Sequence, residues 1–396
     1  MASRVRSIAD RERRARLALR HHLAPTARGL DPVRVADDLV GIHATDPASV
    51  YLGLRARVRD LAPARLQDEL YERRSLLRLI GMRRTLFVVP LELAGVITAA
   101  CARAIAVAER KRLLGMLEGA GIAAEPEPWL RRVERETLAA LEAAGEATAT
   151  ELTALVPGLS ERIPFGAGKR WQGEMGVSTR VLLLLSMEAR VLRARPRGTW
   201  LSSQYRWAPV DRWIGRAIPE RDTSAAQAEL VRRWLTTFGP GTIADLRWWT
   251  GWTLGAVRRA LASVRTADVK LEGGEPALVL ADDVEPTEEV EPWVALLPTL
   301  DTTTMGWTSR SWYLGPHAPT LFDRNGNAGP TVWWDGRVVG GWGQSPDGDV
   351  IVRLLEDAGS EAGRAIEAEA ARLDAWLDRA RVTPRFRTPL ETELGR

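Results

Sequence analysis

The stretch VLRARPRGTWLSSQYRWAP, Val191 to Pro209, decides the fold. It follows directly on an apolar helical run, Val177 to Arg190. Within it Val191-Leu192-Arg193-Ala194 alternates apolar and polar side chains, Arg195-Pro196-Arg197-Gly198 supplies turn chemistry, and Thr199 to Trp207 returns with β-branched and aromatic residues. A helix that ends in a two-stranded ribbon with an arginine-rich tip is the sequence form of a wing, and a wing beside a helix can hold a nucleic-acid duplex. Arg193, Arg195 and Arg197 would then meet phosphates. The alternative is a solvated hairpin whose arginines only keep it soluble.

The same plan of short helices followed by a hairpin repeats on both sides. Residues 1–90 form a first unit, with helices near 10–22, 32–41, 48–59 and 63–73. These lead into SLLRLIGMRRTLFVV, whose apolar strands flank a Gly81-Met82-Arg83-Arg84 turn before Pro90. Residues 91–218 form the second, with helices over 91–119 and 128–145, a helix start near Thr148, a polar loop holding Lys169 and Arg170, and the wing. Residues 219–290 form the third. Its helices are expected over 224–238, 242–250 and 253–264, and its short ribbon crosses Gly273-Gly274. That ribbon carries acidic residues and is expected to serve packing. Residues 291–396 differ: strands near 293–297, 331–334, 338–342 and 349–355, with an Asp335-Gly336 turn, precede a helix over 360–380. The fold class is α+β, mostly α, with three tandem winged-helix subdomains, a small C-terminal β unit and a helix.

Composition narrows the function classes. The 396 residues carry a net charge of only +4, so charge location and not charge total must carry any nucleic-acid argument. Only Lys111, Lys169 and Lys270 are lysine among 55 basic residues. Arginine suits bidentate phosphate and guanine contacts, although a G+C-rich genome produces the same bias. Cys101 is the only cysteine, which excludes internal disulfides and cysteine-held clusters, and His21, His22, His43 and His317 lack metal-ligand spacing. No metal and no cofactor are expected. The amino terminus, MASRVRSIADRERRARLALRHHL, is read as an Arg-rich amphipathic helix, and no segment is expected to span a membrane. A cytoplasmic, nucleoid-associated monomer fits this composition.

Chemistry gathers at LVGIHATDPA, Leu39 to Ala48. Asp46-Pro47 is a helix cap followed by a proline at the first helical position, so His43-Ala44-Thr45 is a linker. In an extended linker positions two apart share a side, so His43 and Thr45 face one way and can hold a water between them. Asp46 stands beside them. The plainer reading is that Thr45 and Asp46 cap the helix while His43 bonds to backbone.

GIHATDPASVYLGLRAR, SSQYRWAP, FGPGTIADLRWWTGW and TVWWDGRVVGGWGQ, together with the three helix-and-wing units, resemble the winged-helix DNA glycosylases of the AlkZ and YcaQ type over nearly the whole chain. The resemblance implies three winged helices around a concave cleft. It also implies a monofunctional, metal-free enzyme that removes bulky N7-alkylated purines from double-stranded DNA, in base-excision repair or in self-resistance to an alkylating natural product. The family's catalytic triplet is glutamine, an apolar residue, then glutamine or aspartate; His43-Ala44-Thr45 stands in its place. The resemblance thus makes His43, Thr45 and Asp46 the catalytic candidates. Histidine would add a proton acceptor near neutral pH. Asp301 matches a second family position. For DNA contact, Arg83 and Arg84 would probe a groove, while Lys169, Arg170, Arg193, Arg195 and Arg197 engage phosphates. A non-catalytic winged-helix regulator or lesion binder is the alternative, and an unrelated enzyme using the last unit on a small molecule is a third.

Overall fold

The computed structural model describes residues 5–166, 168–170, 172–384 and 387–395. The first stretch gives β1 (Arg6–Ile8), α1 (Asp10–Arg20), α2 (Pro32–Asp38), β2 (Ile42–His43), α3 (Pro47–Arg55), α4 (Pro63–Gln67), β3 (Leu76–Ile80) and β4 (Leu86–Pro90). Asp31-Pro32 and Asp46-Pro47 start α2 and α3 in the same way, each carboxylate accepting from the amide two residues on. Strands β2, β4 and β3 form one antiparallel sheet in that order. The near-continuous apolar run of β3 and β4 follows from burial on both faces. Leu77, Leu79, Phe87 and Val89 enter one core, and Leu76, Ile80, Leu86 and Val88 enter another.

The second stretch gives α5 (Leu91–Ile97), α6 (Arg103–Gly119), α7 (Pro126–Ala144), β5 (Ala147–Thr148), α8 (Ala149–Leu155), β6 (Arg162–Phe165), β7 (Gly173–Gly176), α9 (Val177–Met187), β8 (Val191–Pro196), β9 (Tyr205–Pro209) and α10 (Val210–Ile214). Thr148 and Glu151 close a capping box on α8. The ribbon is β8–β9, with β5 paired on its far side. The polar loop around Lys169 is instead the turn of a separate hairpin, β6–β7. Helices α5 and α6 run on through a π turn at Thr98–Ala102. Contrary to the expectation from sequence, this run, Leu91–Gly119, reaches membrane-spanning length and apolarity, but 56% of its most apolar window is buried against the rest of the fold.

The third stretch gives α11 (Thr223–Phe238), α12 (Ile243–Thr250), α13 (Leu254–Leu261), β10 (Thr266–Leu271) and β11 (Pro276–Leu280), with Asp222, Thr242 and Thr253 as caps. Strand β1 lies parallel to β10, where the sequence reading places a helix; residues 1–4 of that reading lie outside the described residues. The reason is local burial. Ile8 joins Val269, Leu271, Ala277 and Val279 in a small cluster that β10 and β11 cannot close alone. The last stretch gives β12 (Val294–Leu297), α14 (Ser311–Leu314), α15 (Ala318–Leu321), β13 (Thr331–Trp334), β14 (Arg337–Gln344), β15 (Val350–Leu354), α16 (Gly359–Leu377) and α17 (Pro389–Leu394). Its four strands pair antiparallel in chain order, and Asp335 and Gly336 turn with φ of 45° and 77°. The largest apolar cluster draws on all four stretches, from Leu17 to Leu394.

Candidate functional site

After α2 the chain reverses through Val40 and Gly41, both at positive φ. A side chain on Gly41 would sit 2.9 Å from Val89 and 3.3 Å from the Val88 carbonyl, so the residue must be glycine. Strand β2 then pairs with β4, and the Ala44 amide continues the ladder to the Leu86 carbonyl at 2.8 Å. The outer edge is held from the last stretch of the chain: Thr302 Oγ1 accepts from the His43 amide at 3.2 Å and donates to the Gly41 carbonyl at 3.4 Å. Ile42 and Ala44 enter the core, which leaves His43 on the opposite side of β2, and Thr45 follows in the bend before α3.

There the His43 ring meets Phe87 edge-on at 5.1 Å. The ring is 4% exposed, and both its Nδ1 and Thr45 Oγ1 are enclosed without a hydrogen-bond partner. Two such atoms are costly, roughly 1–3 kcal/mol each, and call for a partner that the folded chain does not supply. Burial, and then the positive charge of Arg83, pull the His43 imidazole from its usual range down to about 3. It is therefore neutral at pH 7, with one donor and one acceptor. This departs from the expectation of a proton acceptor near neutral pH: so weak a base can engage a ligand by hydrogen bonding only.

Asp46 meets a different environment. Its Oδ1 accepts from the Ala48 amide at 3.0 Å, and it lines a small cavity of about 60 Å³ with Ser49, Thr299, Gln344 and Glu391. Burial, and last and least the Asp46 charge, push the Tyr205 hydroxyl and the Glu391 carboxyl up in pKa, Glu391 to about 7. Asp301 is fully engaged elsewhere. Its two oxygens take a bidentate pair from buried Arg57 at 2.7 and 2.9 Å and the Thr303 amide at 2.8 Å. Arg57 also reaches the carbonyls of His21 and Gly53, and a side chain on Gly53 would crowd Asp301 at 3.3 Å. Sequence spacing gives no sign of this pair, because its members lie 244 residues apart.

The arginines of the first hairpin diverge. Arg83 and Arg84 occupy its tip with φ of 51° and 61°. Arg83 turns inward over Trp248 at 4.0 Å, close enough for its charge to act on His43. Arg84 turns outward to Glu109 at 2.9 Å, where Arg112 and Arg180 also converge at 3.8 and 3.7 Å. Three cations thus share one carboxylate, a patch that sequence reading missed since its members come from three elements. Lys169 and Arg170 are exposed at the β6–β7 turn.

On the ribbon the arginines stack. Arg195 lies over Tyr71 at 4.6 Å and pairs with Glu72, and Arg193 lies over Tyr205 and Trp207 at 5.6 and 5.5 Å. Between the two tyrosines sits buried Arg78, 5.4 Å from one ring and 5.0 Å from the other. Arg197 is exposed. The tip does not project freely: Trp200 packs on Tyr51 of α3 at 4.8 Å and on Trp376 of α16 at 5.7 Å. The structure therefore distributes the seven candidate contacts over three separate hairpins, with Arg83 and Arg84 on the first, Lys169 and Arg170 on the second, and Arg193, Arg195 and Arg197 on the third.

Among the described residues no three His, Cys, Asp or Glu side chains converge as metal ligands would. A sequence profile described as DNA glycosylase AlkZ-like matches residues 36–376. No curated protein matches the chain in sequence. Among solved structures the chain is similar to the Streptomyces sahachiroi DNA glycosylase AlkZ. The TM-score is 0.73 at 20% identity, with 96% of this chain and 99% of that one covered.

Proposed function

Because the chain belongs to the family of AlkZ-like DNA glycosylases, we propose that it hydrolyses the N-glycosidic bond of N7-alkylated purines in duplex DNA, as a monofunctional enzyme without a metal. The observation that carries this reading is the pair of enclosed, partnerless atoms, His43 Nδ1 and Thr45 Oγ1, two residues apart where a pinned strand runs into the bend before α3. They have the inventory to hold one water. An N7-alkylated purine already carries positive charge. When the bond from the sugar C1′ to N9 breaks, its electron pair neutralises the ring, so the leaving base needs no strong acid. Water adds at C1′ and its surplus proton passes to solvent. A neutral imidazole and a hydroxyl suffice to place that water, and Asp46 fixes the start of α3 and hence the angle of the bend.

In this reading the helix-and-sheet units over 1–90, 91–218 and 219–290 are three winged helices, followed by the β unit over 291–396. Duplex DNA meets Arg83, Arg84, Lys169, Arg170, Arg193, Arg195 and Arg197, and the reaction serves repair or self-resistance. The test is to incubate purified protein with duplex carrying N7-alkylguanine and to measure abasic sites. Base release is expected. No release across a panel that includes bulky natural-product adducts, with DNA binding intact, replaces this reading with a non-catalytic lesion binder.

A further inference from the structure

Arg83 does not stack on Trp248 alone. Arg310 lies over the same half-buried indole at 4.7 Å and over Phe322 at 4.8 Å. Among the described residues neither guanidinium makes an ion pair, and Arg83 Nε is enclosed without a partner. Arg310 Nε donates to the Trp307 carbonyl at 2.9 Å. The nearest acidic influence is Asp245, whose oxygens already accept from the Thr308 and Ser309 amides and from Thr242.

Two like charges held at one ring repel, and burial followed by Arg310 brings Arg83 down to about 10, still charged at neutral pH. The arrangement is nevertheless built. Gly251 packs so close that a side chain there would meet the Arg83 Cα at 3.3 Å, and the Arg310 fork is oriented by Trp307. Preset guanidinium forks facing a deficit of negative charge match a phosphodiester, which accepts bidentate donors and offsets the repulsion. The place is also apt. Arg83 sits in the turn that leads into β4, whose Phe87 pairs with His43, and from Arg310 an open groove of about 1370 Å³ leads past Ser311, Phe322, Arg324 and Arg387.

We propose that Arg83 and Arg310, stacked on Trp248, hold one backbone phosphate of the DNA strand that bears the damaged purine and so register that nucleotide against His43. This rests on the glycosylase reading for its choice of ligand. The test uses the full chain and duplex DNA containing a stable abasic-site analogue, in which a neutral methylphosphonate replaces one linkage at a time beside the lesion. The parent protein should lose about tenfold in affinity at one particular linkage, and Arg310→Gln should be weaker overall but show no further loss there. Arg310→Lys, which keeps the charge and loses the fork, should show a residual two- to threefold loss at that linkage.

Parent-like sensitivity of both variants at every linkage overturns the proposal. So does the absence of any sensitive linkage in the parent. If base release from N7-alkylguanine duplex is intact while the linkage pattern is indifferent to Arg310, this inference alone fails. If the parent binds no duplex at low salt, both it and the functional reading fail.

Discussion

The molecule holds two buried histidines, and they differ in how fully the chain satisfies them. His21 is wholly enclosed where α1 meets α11. Its Nε2 donates to the Thr237 carbonyl at 3.2 Å, its Nδ1 lies 2.7 Å from Thr303 Oγ1, and its ring stacks on Trp307 at 5.8 Å. His43 is almost as enclosed, yet its Nδ1 has no partner. Burial, the largest cause in each case, drives both imidazoles toward neutrality, with Arg57 acting on His21 and Arg83 on His43. Burial and a displaced pKa therefore do not distinguish the two histidines. Satisfaction does: the chain supplies every bond His21 can make and withholds one from His43.

The largest expected effect breaks that comparison if it fails. Replacing His43 and Thr45 together by alanine should lower single-turnover base release by about 100-fold or more, with duplex affinity changed less than about threefold. Stability should hardly fall, because the two side chains make no hydrogen bonds to lose. His21→Ala should do the reverse, lowering the unfolding midpoint by leaving Thr303 and the Thr237 carbonyl unpaired. Equal losses of stability in the two variants, with base release untouched in the first, would make His43 a second His21.

Asp301 sharpens the contrast from the structural side, since it supports the His21 network through Arg57 and Thr303. Asp301→Asn leaves Arg57 as a buried charge without a counter-ion and should cost about 3–5 kcal/mol in denaturant unfolding. Base release per folded molecule should survive. A selective loss of the chemical step with stability intact would give Asp301 a part in the reaction beyond its pairing with Arg57.

The pH dependence is a third, smaller test. With an imidazole at about 3 in the folded chain and near 6.5 when unfolded, the unfolded state binds more protons between those values, so stability falls as pH drops through that window. His43→Gln removes this liability. Its stability relative to the parent should improve by about 2 kcal/mol between pH 7.5 and pH 5, read from urea midpoints at each pH. Base release by the parent should show no inflection near pH 6.5. An inflection there would mean that solvent reaches the imidazole and that it can serve as a base.

What the sequence could tell follows the same division. Local chemistry was legible: Asp46-Pro47 marks the start of α3, and the Gly41 reversal precedes the short extended segment that holds His43. The ribbon, the capped helices of the third stretch and the Asp335-Gly336 turn are short-range features as well. Long-range pairing was not legible. Strand β1 reads as part of a helix until β10, more than 250 residues away, offers it an edge. Arg57 and Asp301, the Arg84–Arg112–Arg180 patch on Glu109, and the Arg83–Trp248–Arg310 stack all join distant stretches, and no spacing rule couples them. The packing of Trp200 beside the ribbon turn was hidden for the same reason, since its partners lie on α3 and α16.

The smallest effect carries the distinction between satisfied and unsatisfied groups to the ribbon arginines. Arg195 has Tyr71 under its guanidinium and Glu72 beside it, whereas Arg197 is exposed two residues on. Releasing counter-ions from DNA requires a cation that is not already neutralised. Arg197→Ala should therefore lower the slope of log affinity against log salt by close to 0.9 and weaken binding several-fold at low salt. Arg195→Ala should change the slope by well under half as much, since Glu72 has already absorbed part of its charge, while losing the contact with Tyr71. Titration of the same duplex over a salt series compares the two variants directly. Equal slope changes would mean that Glu72 releases Arg195 when DNA arrives, and that the ion pair is a resting contact of the free protein.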